Sequence, residues 1–423
     1  MKKIRIFTSV LIISALLLVV AIGMGTANAL TANERLGKSI FFDQNLSINQ
    51  NQSCAACHTR EVGWTGPDET INAHGAVYEG SIPGRFGNRK PPSSAYATLS
   101  PILHVDKKGL FVGGNFWDGR ATGEKLGNPA ADQAQGPFLN PAEQALPDSA
   151  CVVWRVCTAS YPVSFETVWG AGACAITWPS DIGTVCSTEG ATVSLSSADR
   201  DKSNQNYDSI ALSIAAYEGS TEVNAFTSKY DWSLVGKGKA KLTQQERIGF
   251  ALFQGKGKCQ RCHSSSGRVP LFTDFTYDNL GIPKNPENPF YNVDPSFVDY
   301  GLGGFLATRP DYAMYAAANN GKHKVATLRN VDLRPSASFV KAYGHNGYFK
   351  SLEGIVHFYN TRDVKTVCPG NYTEAQALAA NCWPAPEVAQ NVNRSELGNL
   401  GLTPAEEAAI VAFLKTLSDG YMP

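Results

Sequence analysis

The feature of this sequence that most restricts its fold is a pattern that occurs twice. Residues 30–41 and 242–253 are closely similar, and each segment lies upstream of a Cys-x-x-Cys-His motif, at 54–58 and at 259–263. Both segments begin with Thr-x-x-Glu, the capping box in which two side chains satisfy free N–H groups at a helix start. Apolar residues at helical spacing follow. The sequence therefore predicts two homologous halves, each with a helix that leads into the motif.

The Cys-x-x-Cys-His motif has a specific chemical use. Its two thiols form thioethers to the vinyl groups of a haem, and the adjacent histidine becomes an axial ligand of the iron. The alternatives are a zinc site or a disulfide, but zinc would need further Cys or His ligands at short spacing, and none flank the motifs. We therefore predict two covalently bound c-type haems. Their expected attachment residues are Cys54, Cys57, Cys259 and Cys262, and their expected iron ligands are His58 and His263.

Few segments show strand-like alternation, so we predict a mainly α fold of two cytochrome c-like domains with long loops. Each half is expected to close with a helix, at Tyr207–Tyr217 and at Thr403–Leu417. The predicted organisation is a signal peptide at 1–29, an N-terminal haem domain at 30–218 with a Cys-rich insertion at 144–190, a linker at 219–241, and a C-terminal haem domain at 242–423.

The N-terminus predicts export. A basic segment at 2–5 precedes an apolar run to about residue 23, and small residues end at Ala29. We expect cleavage near Ala29 and a periplasmic mature chain without a membrane span; the alternative is that the long apolar run stays as an anchor. The chain has 37 basic and 37 acidic residues, and cleavage removes basic residues only. The slightly acidic mature chain offers no electrostatic basis for nucleic-acid binding.

The six cysteines outside the motifs are an even number in an oxidising compartment, so up to three disulfides are expected. Cys368 and Cys382 bracket a short loop and are predicted to pair. Residues 150–156 are predicted to be helical, and six helical residues rise about 9 Å, beyond the roughly 7 Å Cα separation that a disulfide bridges. Each of Cys151 and Cys157 is therefore expected to pair with Cys174 or Cys186.

Residues that could complete the coordination of two irons are scarce. Besides the two motif histidines the chain has five histidines, and only Met314 and Met422 lie outside the signal peptide and its flank. Two irons with His and Met ligands, as in electron carriers, are therefore not expected. Either another side chain binds iron, or one iron is left open for a substrate.

Four further motifs make the sequence resemble the bacterial dihaem cytochrome c peroxidases and their relatives, the MauG-type enzymes. These motifs are Phe-Trp-Asp-Gly-Arg-Ala at 116–121, the segment 133–143, Thr-Leu-Arg-Asn-Val at 327–331 and His-Asn-Gly at 345–347. They stand in the family's order across nearly the whole mature chain. The resemblance implies one haem in each domain, with the N-terminal haem peroxidatic and the C-terminal haem an electron relay.

The resemblance also implies roles for three side chains. Trp117 would lie between the haems and support electron transfer, although a core tryptophan is the alternative. Glu143 matches the family's distal acid–base carboxylate, and Gln133 matches the amide beside it. Cleavage of HO–OH requires a proton to move from the near oxygen to the departing one, which a carboxylate can carry. From residue type alone, Glu143 would be interpreted as a surface acid.

His74 is a candidate ligand of the first iron. Members of the family carry a His-Gly at this place as a removable sixth ligand, and this chain has His74 followed by Gly75. If His74 binds, the resting enzyme is inactive until it accepts an electron. The alternative is a loop histidine.

Tyr359 is the candidate ligand of the second iron. In the segment 351–361, Leu352, Ile355, Val356 and Tyr359 fall on one helical face, so Tyr359 can reach a buried haem. The matching residue is methionine in ordinary peroxidases of the family and tyrosine in MauG-type enzymes. A phenolate stabilises ferric iron and lowers its potential relative to methionine. A core tyrosine is the alternative, and His345 and His357 are the fallback ligands.

The sequence departs from the family at two sites. Members often bind calcium between the haems through an Asn, but Lys90 stands where that Asn is expected, and Ala326 replaces the usual proline. Either Asn88 supplies the calcium ligand in place of that Asn, or the Lys90 ammonium group takes the place of the calcium ion. MauG passes oxidising equivalents through a tryptophan before its second motif, where this chain has Gly257 and Lys258.

We therefore expect a hydrogen-peroxide-dependent dihaem enzyme. Tyr359 favours a MauG-like role in which an aromatic residue of a partner protein is oxidised, and relatives linked to copper acquisition are the subgroup to compare first. The first alternative is a cytochrome c peroxidase that reduces peroxide to water with electrons from a small redox protein. The second is a non-enzymatic electron-transfer cytochrome, which the scarcity of methionine and the presence of Glu143 disfavour.

Overall fold

The computed structural model describes residues 29–236 and 240–423. The predicted signal peptide, apart from Ala29, lies outside the described residues, as do residues 237–239 of the predicted linker. Within these two described ranges, none of the helices combines the length and apolar character needed to cross a bilayer.

Helices supply most of the regular structure, and strands are short and few, as predicted. The helices are α1 Ala32–Phe41, α2 Glu69–Ala73, α3 Pro129–Leu139, α4 Ser149–Thr158, α5 Phe165–Trp169, α6 Ile182–Val185, α7 Ser197–Glu218, α8 Lys229–Leu234, α9 Gln244–Gln254, α10 Phe290–Val293, α11 Gly301–Ala307, α12 Leu352–Thr361, α13 Glu374–Ala379 and α14 Pro404–Lys415. The strands are β1 His104–Val105, β2 Phe111–Val112, β3 Tyr277–Asp278, β4 His323–Lys324, β5 Thr366–Val367 and β6 Cys382–Trp383. β1 with β2 and β3 with β4 are antiparallel pairs, and β5 with β6 is parallel.

The two copies of the repeated segment form helices α1 and α9. Each begins with the predicted capping box, in which Thr31 pairs with Glu34 and Thr243 with Glu246. α1 packs against α7, and α9 packs against α14. The closing helices are therefore confirmed, although α7 starts ten residues before the predicted Tyr207.

Gly37 and Gly249 allow the helices of each pair to approach closely. A methyl group at Gly37 would lie 1.8 Å from the Ser213 carbonyl oxygen, and one at Gly249 would lie 1.8 Å from the Ala409 carbonyl oxygen. Any side chain at these positions would overlap the opposing helix. The two helix pairs thus cross with the same local geometry.

The two largest clusters of buried apolar residues lie in residues 36–223 and 230–417. The boundary between them falls inside the predicted linker, which is not a uniformly polar connection. Helix α8 lies there, and its Tyr230 packs edge-to-face on Phe272 and Phe413 of the second cluster. Part of the predicted linker therefore belongs to the core of the C-terminal half.

The six cysteines outside the motifs form three disulfides. Cys368 pairs with Cys382, as predicted. Cys151 and Cys157 lie on α4 and pair with Cys186 and Cys174, respectively, across Cα distances of 5.4 and 5.5 Å. The prediction that a helix would prevent Cys151 from pairing with Cys157 is confirmed.

Candidate functional site

The four motif cysteines are the free thiols among the described residues. Cys54, Cys57, Cys259 and Cys262 are all partly buried and lie in short 3-10 turns that continue into the motif histidines. Burial, and after it the charge of Glu143, raises the pKa of Cys57 to about 12. Cys259 and Cys262 line a cavity, and neutral thiols held in pairs fit covalent attachment to vinyl groups.

His58 and His263 are oriented in the same way. The His58 ring Nδ1 lies 3.1 Å from the Trp64 carbonyl oxygen, and the His263 Nδ1 lies 2.8 Å from the Phe272 carbonyl oxygen. Donation from Nδ1–H fixes the tautomer in which Nε2 carries the lone pair. Burial also lowers the pKa of His58 to about 4. Each ring is therefore neutral and pre-oriented for a metal, as an axial iron ligand must be.

The first cavity, with a volume of about 90 Å³, lies beside His58. Gln133, from the middle of α3, reaches its wall together with Phe116, Trp117 and Glu218. Among the predicted residues of the first site, the structure thus brings His58, Gln133 and Trp117 to one cavity.

Glu143 follows α3 in a tight turn that starts at Asn140. The Asn140 side-chain amide donates to Glu143 Oε2 at 2.7 Å, and the Glu143 carbonyl oxygen accepts from the Ser81 amide. Burial raises the pKa of Glu143, and the Asn140 hydrogen bond opposes that change. The carboxyl lies close enough to Cys54 and Cys57 to perturb both thiols. It is therefore held beside the first motif and is not a surface acid.

Glu218 is a buried carboxyl at the first cavity that the sequence reasoning missed. It ends α7, is 3% exposed, and bonds to Ser94 on the same cavity wall. Burial raises its pKa to about 8. Alignment of the two halves places Glu218 opposite Leu414, an apolar residue of the C-terminal half. This match would have indicated that Glu218 is buried.

The second cavity, with a volume of about 230 Å³, contains the second motif on its wall. The four residues of the predicted α12 face all line it, and Tyr359 shares it with Cys259, Cys262 and His263. Burial, followed by the nearby Cys259 and Cys262, raises the pKa of the Tyr359 hydroxyl. The predicted inward orientation of this face is confirmed.

The two fallback ligands lie in different places. His345 is 5% exposed and lines the second cavity, where its ring stacks at 3.5 Å on His323. Asp299 Oδ1 lies 3.3 Å from His323 Nε2, and Arg89 binds that carboxylate through two nitrogens. His357 points away from the cavity, and its Nδ1 lies 3.1 Å from both oxygens of Glu407.

His74 is not brought to the first cavity. It ends α2 as an exposed residue, and its ring Nδ1 lies 2.8 Å from the Thr70 carbonyl oxygen. Its carbonyl oxygen accepts a hydrogen bond from Lys350 in the C-terminal half. In this conformation the histidine takes part in a contact between the halves.

Trp117 lines both cavities. Its indole Nε1 donates to the Lys90 carbonyl oxygen at 2.8 Å, and its own carbonyl oxygen accepts from the Lys324 amide. The first bond holds the indole ring, and the second holds the backbone of the same residue. Trp117 is therefore one of the residues that lie between the two cavities.

Lys90 occupies the place at which the sequence left calcium in question. Its Nζ donates to Thr65 Oγ1 and to the Pro91 carbonyl oxygen, both at 3.0 Å. The possible metal clusters found among the described residues are Asp299–His323–His345 and Cys262–Asp278–Glu396, and neither contains Asn88. The Lys90 ammonium group is thus the cation that these two oxygens bind.

Residues 31–239 match the family model described as di-haem cytochrome c peroxidase. The chain is 33% identical over 391 residues to the methylamine utilization protein MauG of Paracoccus denitrificans (strain Pd 1222), covering 91% of this chain and 88% of that protein. It is 25% identical to the cytochrome-c peroxidase IdrP1 of Denitromonas iodatirespirans, covering 92% of this chain and 83% of that protein.

Solved structures agree with this assignment. The diheme peroxidase BthA from Burkholderia thailandensis E264 matches with a TM-score of 0.69 and 27% identity, covering 94% of this chain and 89% of that chain. A MauG-like protein associated with microbial copper homeostasis has a TM-score of 0.57 at 22% identity, covering 93% of this chain and 91% of that chain. The latter likeness concerns the fold alone.

Proposed function

The chain belongs to the di-haem cytochrome c peroxidase family, and from this premise we propose that it is a periplasmic enzyme that uses hydrogen peroxide to oxidise an aromatic residue of a partner protein, as MauG-type enzymes do. The single observation that carries the MauG-like choice is the position of Tyr359 on the wall of the second cavity, beside Cys259, Cys262 and His263.

The proposal includes two covalent haems, and the residues present fit them. Cys259, Cys262 and His263 line the second cavity, and His58 lines the first, directly after Cys54 and Cys57 in the chain. Both histidines are neutral, and their Nε2 atoms would bind the irons. In the second cavity Tyr359 would supply the other axial ligand. When bound, the haems would supply the redox chemistry that converts peroxide and withdraws electrons from a reductant.

Beside the first Cys-x-x-Cys-His motif, Glu143 is proposed to move the proton. Its raised pKa brings the carboxyl closer to the working pH, where a group can both accept and return a proton efficiently. It would accept the proton from the near oxygen of the peroxide and deliver it to the departing oxygen. Asn140 orients the carboxyl, and Gln133 offers an amide hydrogen bond at the cavity wall.

Trp117 is proposed to connect the two sites. It lines both cavities, and one hydrogen bond holds its indole ring while another holds its backbone carbonyl. The exposed position of His74 supports a first iron that is open to peroxide without prior reduction. Both features favour an enzyme that reacts in its fully oxidised form.

The second candidate is a cytochrome c peroxidase that reduces peroxide to water with electrons from a small redox protein. Gly257 and Lys258 favour it, since they line the second cavity where MauG has its exit tryptophan. Several relatives are also named cytochrome-c peroxidases.

Mixing peroxide with the diferric protein in a stopped-flow spectrometer separates the two candidates. The MauG-like proposal expects a rapid change of the haem spectrum without added electrons. A protein that stays unchanged until one electron is supplied would be the ordinary peroxidase. The Glu143→Gln variant is the control, because it should retain both haems and lose the rapid reaction.

A further inference from the structure

Two buried lysines and one half-buried lysine line the second cavity, and none of them forms an ion pair with a carboxylate of the described residues. They are Lys90, Lys324 and Lys341, here called the lysine cluster. Lys90 and Lys341 are 8% and 5% exposed. Lys324 lines the first cavity as well as the second.

The three ammonium groups share one pattern of hydrogen bonds. Each donates to two uncharged oxygens: Thr65 Oγ1 and Pro91 O for Lys90, Ser100 Oγ and Gly113 O for Lys324, and Asn330 O and Leu333 O for Lys341. An ammonium group has three N–H donors. One donor of each lysine therefore has no hydrogen-bond partner among the described residues and remains for a ligand.

Buried charges without counter-charges are costly, and proteins normally pair them or let them become neutral. Burial lowers the pKa of Lys90 to about 8 and that of Lys324 to about 7, and it lowers the pKa of Lys341 well below its usual value. The positive charge of Lys90 adds to the effect on Lys341. A group with negative charge in the cavity would remove this penalty at all three sites.

We propose that the lysine cluster is an anion-binding site for carboxylates, and that the propionate groups of the second haem supply them. The inference rests on the second haem of the proposed function. Carboxylates fit because each can accept the free N–H of one or two lysines in charge-assisted hydrogen bonds. The lysines would thereby help to hold the haem in the second cavity.

The cluster also has an electrostatic consequence for the same haem. Positive charges near a haem favour the reduced iron, whereas a tyrosinate ligand favours the ferric form. The lysine cluster would therefore raise a potential that Tyr359 lowers. The Lys90 carbonyl oxygen accepts from the Trp117 indole, and the Lys324 amide donates to the Trp117 carbonyl oxygen, so this effect acts at the junction of the two cavities.

Spectroelectrochemical titration of the purified diferric holoprotein tests the inference. Lys90→Gln and Lys341→Met should each shift the midpoint of the second haem to more negative values. The expected shift of the midpoint is about 59 mV, which for one electron corresponds to a tenfold change in the ratio of oxidised to reduced haem at a fixed applied potential. Lys90→Arg and Lys341→Arg keep the charge and should restore the midpoint. Lys107→Met, at an exposed lysine, is the matched control.

The outcomes separate this inference from the proposed function. Intact mass that lacks two haems would contradict the proposed function. Two haems with a midpoint that neither neutral variant moves would overturn the lysine site and leave the proposed function standing. Titration of the wild type with and without inorganic phosphate identifies the anion. A midpoint that depends on phosphate, and loses this dependence in Lys90→Gln, would overturn the propionate assignment.

Discussion

Glu218 and Leu414 occupy equivalent positions in the two halves of the chain. α7 packs on α1 at Gly37, and α14 packs on α9 at Gly249. A methyl group added at either glycine would lie at the same distance from the carbonyl oxygen of Ser213 or Ala409, respectively. Five residues after each of these contacts stands Glu218 in one half and Leu414 in the other, and both line a cavity. The N-terminal half therefore has a buried carboxyl where the C-terminal half has an apolar side chain.

Glu218 should make the stability of the protein depend on pH. Its pKa rises from 4.5 to about 8 on burial, so the folded protein keeps a proton that the unfolded chain loses. The stability contributed by this proton is complete below pH 4.5 and is lost as the pH rises towards 8, by about 1.4 kcal/mol per pH unit. Glu218→Gln should remove this loss. The difference in Tm between the variant and the wild type should therefore increase from pH 5 to pH 8.

Glu61→Gln is the control for this prediction, because Glu61 is an exposed acid in the same half. Its Tm difference from the wild type should stay flat over the same pH range. A Glu218→Gln curve that runs parallel to the wild type at all pH values would show that Glu218 keeps an ordinary pKa.

Replacement of Glu143 should affect the reaction with peroxide far more than the structure. Glu143→Gln retains the shape and the Asn140 contact but cannot carry a proton, so the bimolecular rate with peroxide should fall by about 10²- to 10⁴-fold. Asn140→Ala leaves the carboxyl in place without its orienting bond and should cause a smaller loss. Stopped-flow rates measured at equal haem content test both. A Glu143→Gln rate equal to that of the wild type would remove the proposed acid–base role.

Tyr359 should determine the spectrum of the second haem. Tyr359→Phe removes the oxygen that would bind iron, so the low-spin ferric EPR signal should change, and Tyr359→Met should raise the midpoint potential. His357→Ala serves as the control, since this neighbouring side chain points to Glu407 and away from the cavity. An EPR spectrum that Tyr359→Phe leaves unaltered would identify Tyr359 as a residue of the core.

The sequence predicted features that depend on local chemistry. The capping boxes of α1 and α9 involve residues three apart, and the face of α12 that carries Tyr359 follows from helical periodicity alone. The disulfide partners of α4 followed because a helix fixes the distance between Cys151 and Cys157. In each case the relevant geometry is set within one or two turns of chain.

Features that depend on distant segments were not predicted. The lysine cluster brings together residues 90, 324 and 341. Lys90 was singled out by comparison with the family, but no local pattern distinguishes Lys324 and Lys341 from exposed lysines. The stacked rings of His323 and His345 come from β4 and from the His-Asn-Gly turn, 22 positions apart. Helix α8 was assigned to a linker because its polar composition conceals Tyr230, which is buried only by the tertiary fold.

The contact of Gly249 with α14 should be essential for the second half. A methyl group there would lie 1.8 Å from the Ala409 carbonyl oxygen, so Gly249→Ala must push the helices apart, which costs about 1–3 kcal/mol or more. Gly183→Ala is the matched control in a helix, because its added methyl would meet only Trp154, at 3.8 Å. Alanine is the better helix former, so this variant should keep or slightly raise the Tm. Thermal unfolding of the two variants side by side tests the contact. If Gly249→Ala unfolds at the wild-type temperature, α9 and α14 do not pack as closely as described.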